Sequence, residues 1–229
     1  GAKLVVLHTG AVDMKDYTDR LLDLIGEGQA QSPKYDKLCA EAIQKREGKK
    51  ARAYENALEM LRRIVDEAKP RGLKLGIENR EAIEEIPFES DYDWFMNELR
   101  DPTVVYWHDT GHAQIKENLG LISHRQFLES RASRLFGFHV HDVGFPGRDH
   151  RAPGKGGIDW TALKALVTPD HWKVLELSPS LSPDLARHSP ENVIVQPSNR
   201  GTAAGLLLPF LEVLQRDPQA QILVLPSDH

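Results

Sequence analysis

Thiol chemistry is almost absent from this chain, whose 229 residues include one cysteine, Cys39. An intrachain disulfide is therefore excluded, and a reducing, cytoplasmic setting is expected rather than a secreted one. No run of about 18 apolar residues occurs, which excludes an ordinary membrane-spanning helix and argues against a membrane partner. Positive charge is not in excess either: 29 Lys and Arg stand against 34 Asp and Glu, a formal net charge of −5. The basic stripe of a nucleic-acid binder is missing, so no nucleic-acid partner is expected. Internal repeats and low-complexity linkers are also lacking, and 40% hydrophobic residues are enough for an ordinary core. Gly1-Ala2-Lys3-Leu4 runs straight into an apolar strand without a signal-peptide pattern. That start predicts a chain beginning inside a longer fold.

What is present is a regular alternation. Nearly continuous apolar runs predict buried parallel strands at Lys3–His8, Leu73–Glu78, Thr103–His108, Leu135–His141, Lys173–Leu177, Asn192–Gln196 and Gln221–Leu225. Helical stretches separate them. The longest, from about Tyr35 to Lys69, carries Leu58, Leu61 and Ile64 at helical spacing and is stopped by Pro70-Arg71-Gly72. Strand–helix–strand order predicts an α/β fold with a parallel sheet or barrel, one strand short of eight.

The polar residues that interrupt these runs fall at the C-terminal ends of the strands. The ends read Leu7-His8-Thr9-Gly10, Ile77-Glu78-Asn79-Arg80, Trp107-His108-Asp109-Thr110-Gly111-His112, His139-Val140-His141-Asp142 and Leu175-Glu176. In a (β/α) barrel those ends converge on one mouth, where active sites are built. Each residue alone has a plainer reading: Glu78 as a helix-start carboxylate, Asp109 as an N-cap, His139 and His141 as rim histidines. Five successive strands delivering His, Asp or Glu to one mouth outweigh those readings together. An unpaired Glu176 inside an apolar strand would cost several kcal/mol, which calls for a metal or a charged partner. Two Glu, one Asp and one His make a mixed oxygen and nitrogen set suited to one divalent ion, Mn, Co, Mg or Zn. His112, three residues after Asp109, is placed to assist a ligand or touch substrate.

The segment from His150 to Trp160 (His150-Arg151-Ala152-Pro153-Gly154-Lys155-Gly156-Gly157-Ile158-Asp159-Trp160) is glycine-rich. Either its glycines let the backbone approach a ligand that His150 and Arg151 hold, or it is a solvated loop before a helix capped by Asp159. Cys39 reads as a small apolar residue rather than a nucleophile.

Ile-Glu-Asn, His-Asp-Thr-Gly-His-Ala, His-Val-His-Asp and His-x-x-x-Gly-x-Gly-x-Ile-Asp-Trp, in this order, resemble the sugar phosphate isomerase/epimerase superfamily. This is the xylose-isomerase-like TIM-barrel group, which also contains the three-zinc AP endonucleases. The resemblance covers about residues 1–180. It implies Glu78, Asp109, His139 and Glu176 as metal ligands, with His141 an alternative to His139. It implies His8, His112 and His150 as substrate contacts or further metal contacts; His141 and Arg151 join the expected substrate-binding set. Glu78 and Glu176 are implied as the catalytic acid/base pair, shifting a proton through an enediolate that the metal stabilises. The expected partner is a small sugar or sugar phosphate. Two strands that usually precede the Val-Leu-His-Thr-Gly strand are absent. The endonucleases carry an Asp two residues before the loop histidine; here that place is Arg148, with Asp149 shifted by one, which argues against a trinuclear zinc cluster.

From about Pro190 the sequence changes character. Asn199-Arg200-Gly201-Thr202-Ala203 and Pro226-Ser227-Asp228-His229 resemble the middle of mannose-1-phosphate guanylyltransferases, with Arg200, Thr202 and Asp228 as counterparts of nucleotide and Mg²⁺ contacts. The expectation is two domains, a barrel over 1–180 and a β-α-β tail over 190–229. The tail is too short for a transferase site and is expected to pack beside the barrel. The alternatives to a metal-dependent isomerase are a zinc phosphodiesterase of the endonuclease type and a non-catalytic truncated fusion product. An open sheet edge predicts a homo-oligomer.

Overall fold

The computed structural model describes residues 3–176 and 178. The chain divides into two units, Lys3–Leu177 and Gly1–Ala2 with Ser178–His229. The expected tail strands, and Arg200, Thr202 and Asp228, lie outside the described residues.

Five parallel strands form the main sheet in the order β1 (Leu4–Leu7), β2 (Lys74–Glu78), β3 (Val104–Asp109), β4 (Leu135–Val140) and β7 (Trp172–Leu175). Helices α1 (Thr18–Gly26), α2 (Pro33–Ala68), α3 (Tyr92–Leu99), α4 (Thr110–Asn118), α5 (His124–Ser130) and α6 (Trp160–Lys164) fill the connections. The result is a parallel half-barrel, a partial TIM-type architecture. Among the described residues no helix is long and apolar enough to cross a membrane.

The 36-residue α2 starts at Pro33, two residues before the expected Tyr35. Ser32 caps it by accepting from the Tyr35 N–H at 3.1 Å, and Pro33 occupies the first turn. Its buried stripe changes partners halfway. Tyr35, Leu38 and Ala42 pack with α1 and the end of α4, whereas Leu58, Leu61 and Val65 pack against β2, β3 and α3. Burying a side chain such as Leu61 contributes about 2 kcal/mol. A 3-10 turn at Lys69–Arg71 and Gly72, at φ 64°, end the run.

Strand alternation decides what the mouth contains. Leu75, Ile77, Val104, Tyr106 and Phe138 face the helices. The opposite set faces inward: Gly76 and Glu78, Trp107 and Asp109, Gly137 and His139. Register pairs Asp109 with His139, and His139 with Val174, which sets Glu176 on the same face just beyond β7. Glu176 therefore does not sit inside a strand, as expected from its apolar neighbours, but directly after a short edge strand whose Leu175 is largely exposed. Beneath this level the Trp107 indole lies across Gly137, where a Cβ would come within 2.4 Å of the ring.

One pair of strands was not expected. β5 (Asp142–Gly144) and β6 (Arg148–Arg151) form an antiparallel ribbon over the mouth, in a region read as loop.

Candidate active site

β3 runs into α4 without a loop, so Asp109 is at once the last strand residue and the N-cap of the helix. Its Oδ1 accepts the His112 N–H at 2.7 Å. The two readings of Asp109, cap and site carboxylate, are thus compatible. A carboxylate pinned at a helix N-terminus gains from the helix dipole, and its second oxygen turns toward the histidines of β4 and its end.

That second oxygen, Oδ2, lies 3.7 Å from His139 Nδ1, and Glu176 Oε2 lies 3.2 Å from the same nitrogen. Glu78 Oε1 is in direct contact with it. One N–H can serve one of these three acidic oxygens well; a cation would satisfy all three. His139 Nε2 has no partner among the described residues, and the ring meets Trp107 edge-on at 5.1 Å, so Nδ1 is the working nitrogen. Ligand atoms of Glu78, Asp109 and His139 lie within 4.8 Å of one another. The residues therefore fit a divalent ion.

Charge is tightly managed here. Burial pushes the Glu78 carboxyl up, but hydrogen bonds from His139 and His8 outweigh it and hold the group below the usual range. Arg80 adds an ion pair at 2.6 Å and is itself tied to Glu85 at 2.8 Å. His8 Nε2 is 3.0 Å from Glu78 Oε2 and 2.7 Å from Arg80 Nη1, with the His8 ring at the open edge. Burial also pushes Asp109 up, and the neighbouring His112 and His141 overcome it and hold the carboxyl well down. His139 is lowered by burial but raised more by Glu78.

His141 is fixed differently from His139. The His150 N–H donates to His141 Nδ1 at 2.9 Å, so the ring proton sits on Nε2 and points at Asp109, 2.9 and 3.0 Å from its two oxygens. Both of its nitrogens are engaged within the protein, whereas His139 Nδ1 faces three acidic oxygens. His150 reaches this position through a left-handed backbone, φ 51°, and stacks on His141 at 4.3 Å. Its hydrogen bonds to Asp149 and then Glu176 raise it to about 10.

His112 donates Nδ1–H to the Asn79 carbonyl at 3.0 Å. Arg151 packs along the ribbon against Gly144 rather than against the carboxylates. The glycine-rich segment is folded around Asp142. This buried carboxylate accepts from the N–H groups of Val143, Gly154 and Ile158 and from Trp160 Nε1, at 2.8–3.2 Å. A Cβ on Gly156 would sit 2.2 Å from Asp142 Oδ1, so that glycine permits approach to the protein's own carboxylate, not to a ligand. Cys39 is half-buried on α2, and burial pushes its thiol up.

Sequence reasoning passed over Asn79, Arg80 and Asp142, although each is a polar residue within two positions of the end of β2 or β4. It also discounted Asp149. In the fold Asp149 comes together with Glu81 and His112, ligand atoms within 4.8 Å, despite the one-residue shift. Two further groups, Asp109–His112–His141 and His141–His150–Glu176, line the same mouth.

The sequence model for the xylose isomerase-like TIM barrel matches residues 1–193. No curated protein matches the chain in sequence. Among solved structures, the chain is similar to a D-psicose 3-epimerase from Clostridium cellulolyticum H10 solved with D-tagatose, at 19% identity and TM-score 0.45 over 55% of this chain. It is similar to an IolI protein with a bound zinc atom at 19% identity and TM-score 0.48 over 78% of this chain. An L-ribulose 3-epimerase gives 14% identity and TM-score 0.46 over 96%. The chain spans 42%, 55% and 89% of these three proteins' lengths, respectively.

Proposed function

The chain belongs to the xylose isomerase-like TIM-barrel family, and from that premise we propose that it is a metal-dependent sugar isomerase or epimerase. The observation that carries the reading is the convergence of Glu78, Asp109 and Glu176 on one imidazole nitrogen of His139. These four residues would hold one Mn, Co, Mg or Zn ion, which would supply Lewis-acid polarisation of the substrate carbonyl.

The chain's own groups account for the rest. Glu176, at the open side of the mouth, takes the proton from the carbon beside the carbonyl, and Glu78, the deeply buried partner, returns one, to the opposite face of the same carbon in epimerisation or to the former carbonyl carbon in isomerisation. Arg80 and His8 keep the Glu78 oxygens oriented. His112 Nε2 and the His150 ring face the mouth as contacts for sugar hydroxyls, and His141 serves by orienting Asp109. The glycine-rich segment holds the ribbon that carries His150 in place.

A second reading, a zinc phosphodiesterase, is favoured by the additional group Glu81, His112 and Asp149. Metal analysis of the purified protein beside a Glu176→Gln variant separates the readings. About one ion per chain, lost in the variant, together with ketose epimerisation, supports the isomerase. Two or three zinc ions per chain move the assignment to the phosphodiesterase. No uptake on titration makes the protein non-catalytic.

A further inference from the structure

The inner face of the half-barrel is connected to its helical layer by one continuous row of buried polar groups, none of which the metal set uses. The row begins at Asn79, fully buried directly after β2. Its side-chain Oδ1 accepts the Asp109 N–H at 2.8 Å, and its Nδ2 donates to the Asp109 carbonyl at 3.0 Å. Both polar groups of the Asp109 backbone are therefore held by one amide. Because a main-chain N–H can only donate, this pairing also settles which way the amide faces. The Asn79 main-chain carbonyl takes Nδ1–H of His112 at 3.0 Å. One residue thus sets the rotation of Asp109 and the tautomer of His112.

Asn79 is backed from behind. The Tyr106 hydroxyl donates to the same Oδ1 at 3.2 Å. With its proton spent there, the hydroxyl oxygen accepts from His108 Nδ1. His108 Nε2 lies 2.9 Å from His124 Nε2 at the start of α5, and His124 Nδ1 faces Gln114 Oε1 at 3.4 Å. Tyr106, His108 and His124 are all buried. Each bond in such a chain polarises the next, and a buried polar row of this kind specifies one arrangement of its members. Three large polar side chains committed behind one amide exceed what packing needs, since β3 turns apolar residues to the helices at its other outward position, Val104.

We infer that Asn79, buttressed by Tyr106, His108 and His124, is the positioning residue that aims Asp109 and His112 at the reaction centre. The inference rests on the proposed metal-dependent function of that centre.

The test uses the full chain and Mn²⁺ as probe. Tyr106→Phe removes one hydroxyl and nothing else from the core; Asn79→Ala removes the clamp. Mn²⁺ affinity is measured by titration of metal-free protein, alongside the melting temperature and kcat and KM for a ketose. Affinity is expected to fall about 10-fold in Tyr106→Phe and toward 100-fold in Asn79→Ala, the range typical of residues that orient metal ligands. Nitrogen-15 spectra of the metal-free protein should show His112 as the Nδ1–H tautomer in the wild type and a mixture in Asn79→Ala. Wild-type affinity in Tyr106→Phe, whatever its melting temperature, would mean that the row only supports the core and would overturn the inference. Should Asn79→Ala not fold, Tyr106→Phe decides alone. A wild-type protein that takes up no metal overturns the functional reading and this inference with it; unchanged variants beside a metal-binding wild type overturn this inference only.

Discussion

Gly111, the second residue of α4, is a position where two physical effects have opposite signs. Helix propensity favours Gly111→Ala by about 1 kcal/mol. The surroundings oppose it. A Cβ at Gly111 would lie 1.9 Å from His141 Cε1 and 2.4 Å from its Nδ1. The imidazole cannot swing aside cheaply: it is fully buried, donates to Asp109, accepts from the His150 N–H and stacks on the His150 ring. Overpacking of this kind costs about 1–3 kcal/mol. Breaking a hydrogen bond to an ionised carboxylate costs a further 1.5–3 kcal/mol or so. The clash wins over propensity, and a net loss of about 2–5 kcal/mol is expected, or roughly 4–20 °C in melting temperature for a protein of this size. Urea unfolding checks the value, with Gly48→Ala as control. Gly48 lies in α2 with open space where its Cβ would go, so that variant should gain up to about 1 kcal/mol. A Gly111→Ala protein as stable as the wild type would refute the close approach of α4 to His141 on which the tautomer argument depends.

Acid stability should carry the signature of two buried histidines. Burial pushes His124 down to about 4, and burial together with His124 pushes His108 well below its ordinary value. Both are neutral when folded and gain protons on unfolding, so their contribution is present above pH ~6.5 and is lost as pH falls toward 4, by about 1.4 kcal/mol per pH unit each. His139 and His150 shift the other way, so the effect is read as a difference: between pH 6.5 and 4.5 the urea midpoint of His124→Gln should fall less steeply than that of the wild type, and parallel curves would sink the assignment. Lys116→Met tests a buried ion pair, since Lys116 Nζ meets both oxygens of Glu89 at 2.9 and 2.8 Å with neither residue reaching solvent appreciably. The lone substitution should cost about 3–5 kcal/mol and a Lys116→Met, Glu89→Leu pair should recover most of it; a loss below about 1 kcal/mol for the single variant would contradict the burial.

Much of this protein could be read along the chain because the relevant physics is local. Alternation in a strand has period two, so Glu78, Asp109 and His139 were assignable to one face from their spacing, and their placement at strand ends followed from barrel geometry. Pro70-Arg71-Gly72 marked the end of α2 by its own backbone preferences, whereas the Ser32-Pro33 start was passed over in favour of Tyr35. Tertiary structure alone decided what depends on contacts between distant segments. The β5–β6 ribbon needed a pairing register that its mixed polar residues do not announce. The engagement of His141 Nδ1 came from a backbone N–H contributed by His150 in a left-handed conformation. Asn79 became a clamp only because β2 and β3 align in parallel with Glu78 one level below Asp109. Glu81 and Asp149, sixty-eight positions apart, met at His112 for the same reason: sequence spacing determines the face a side chain takes, whereas register and loop path determine which faces meet.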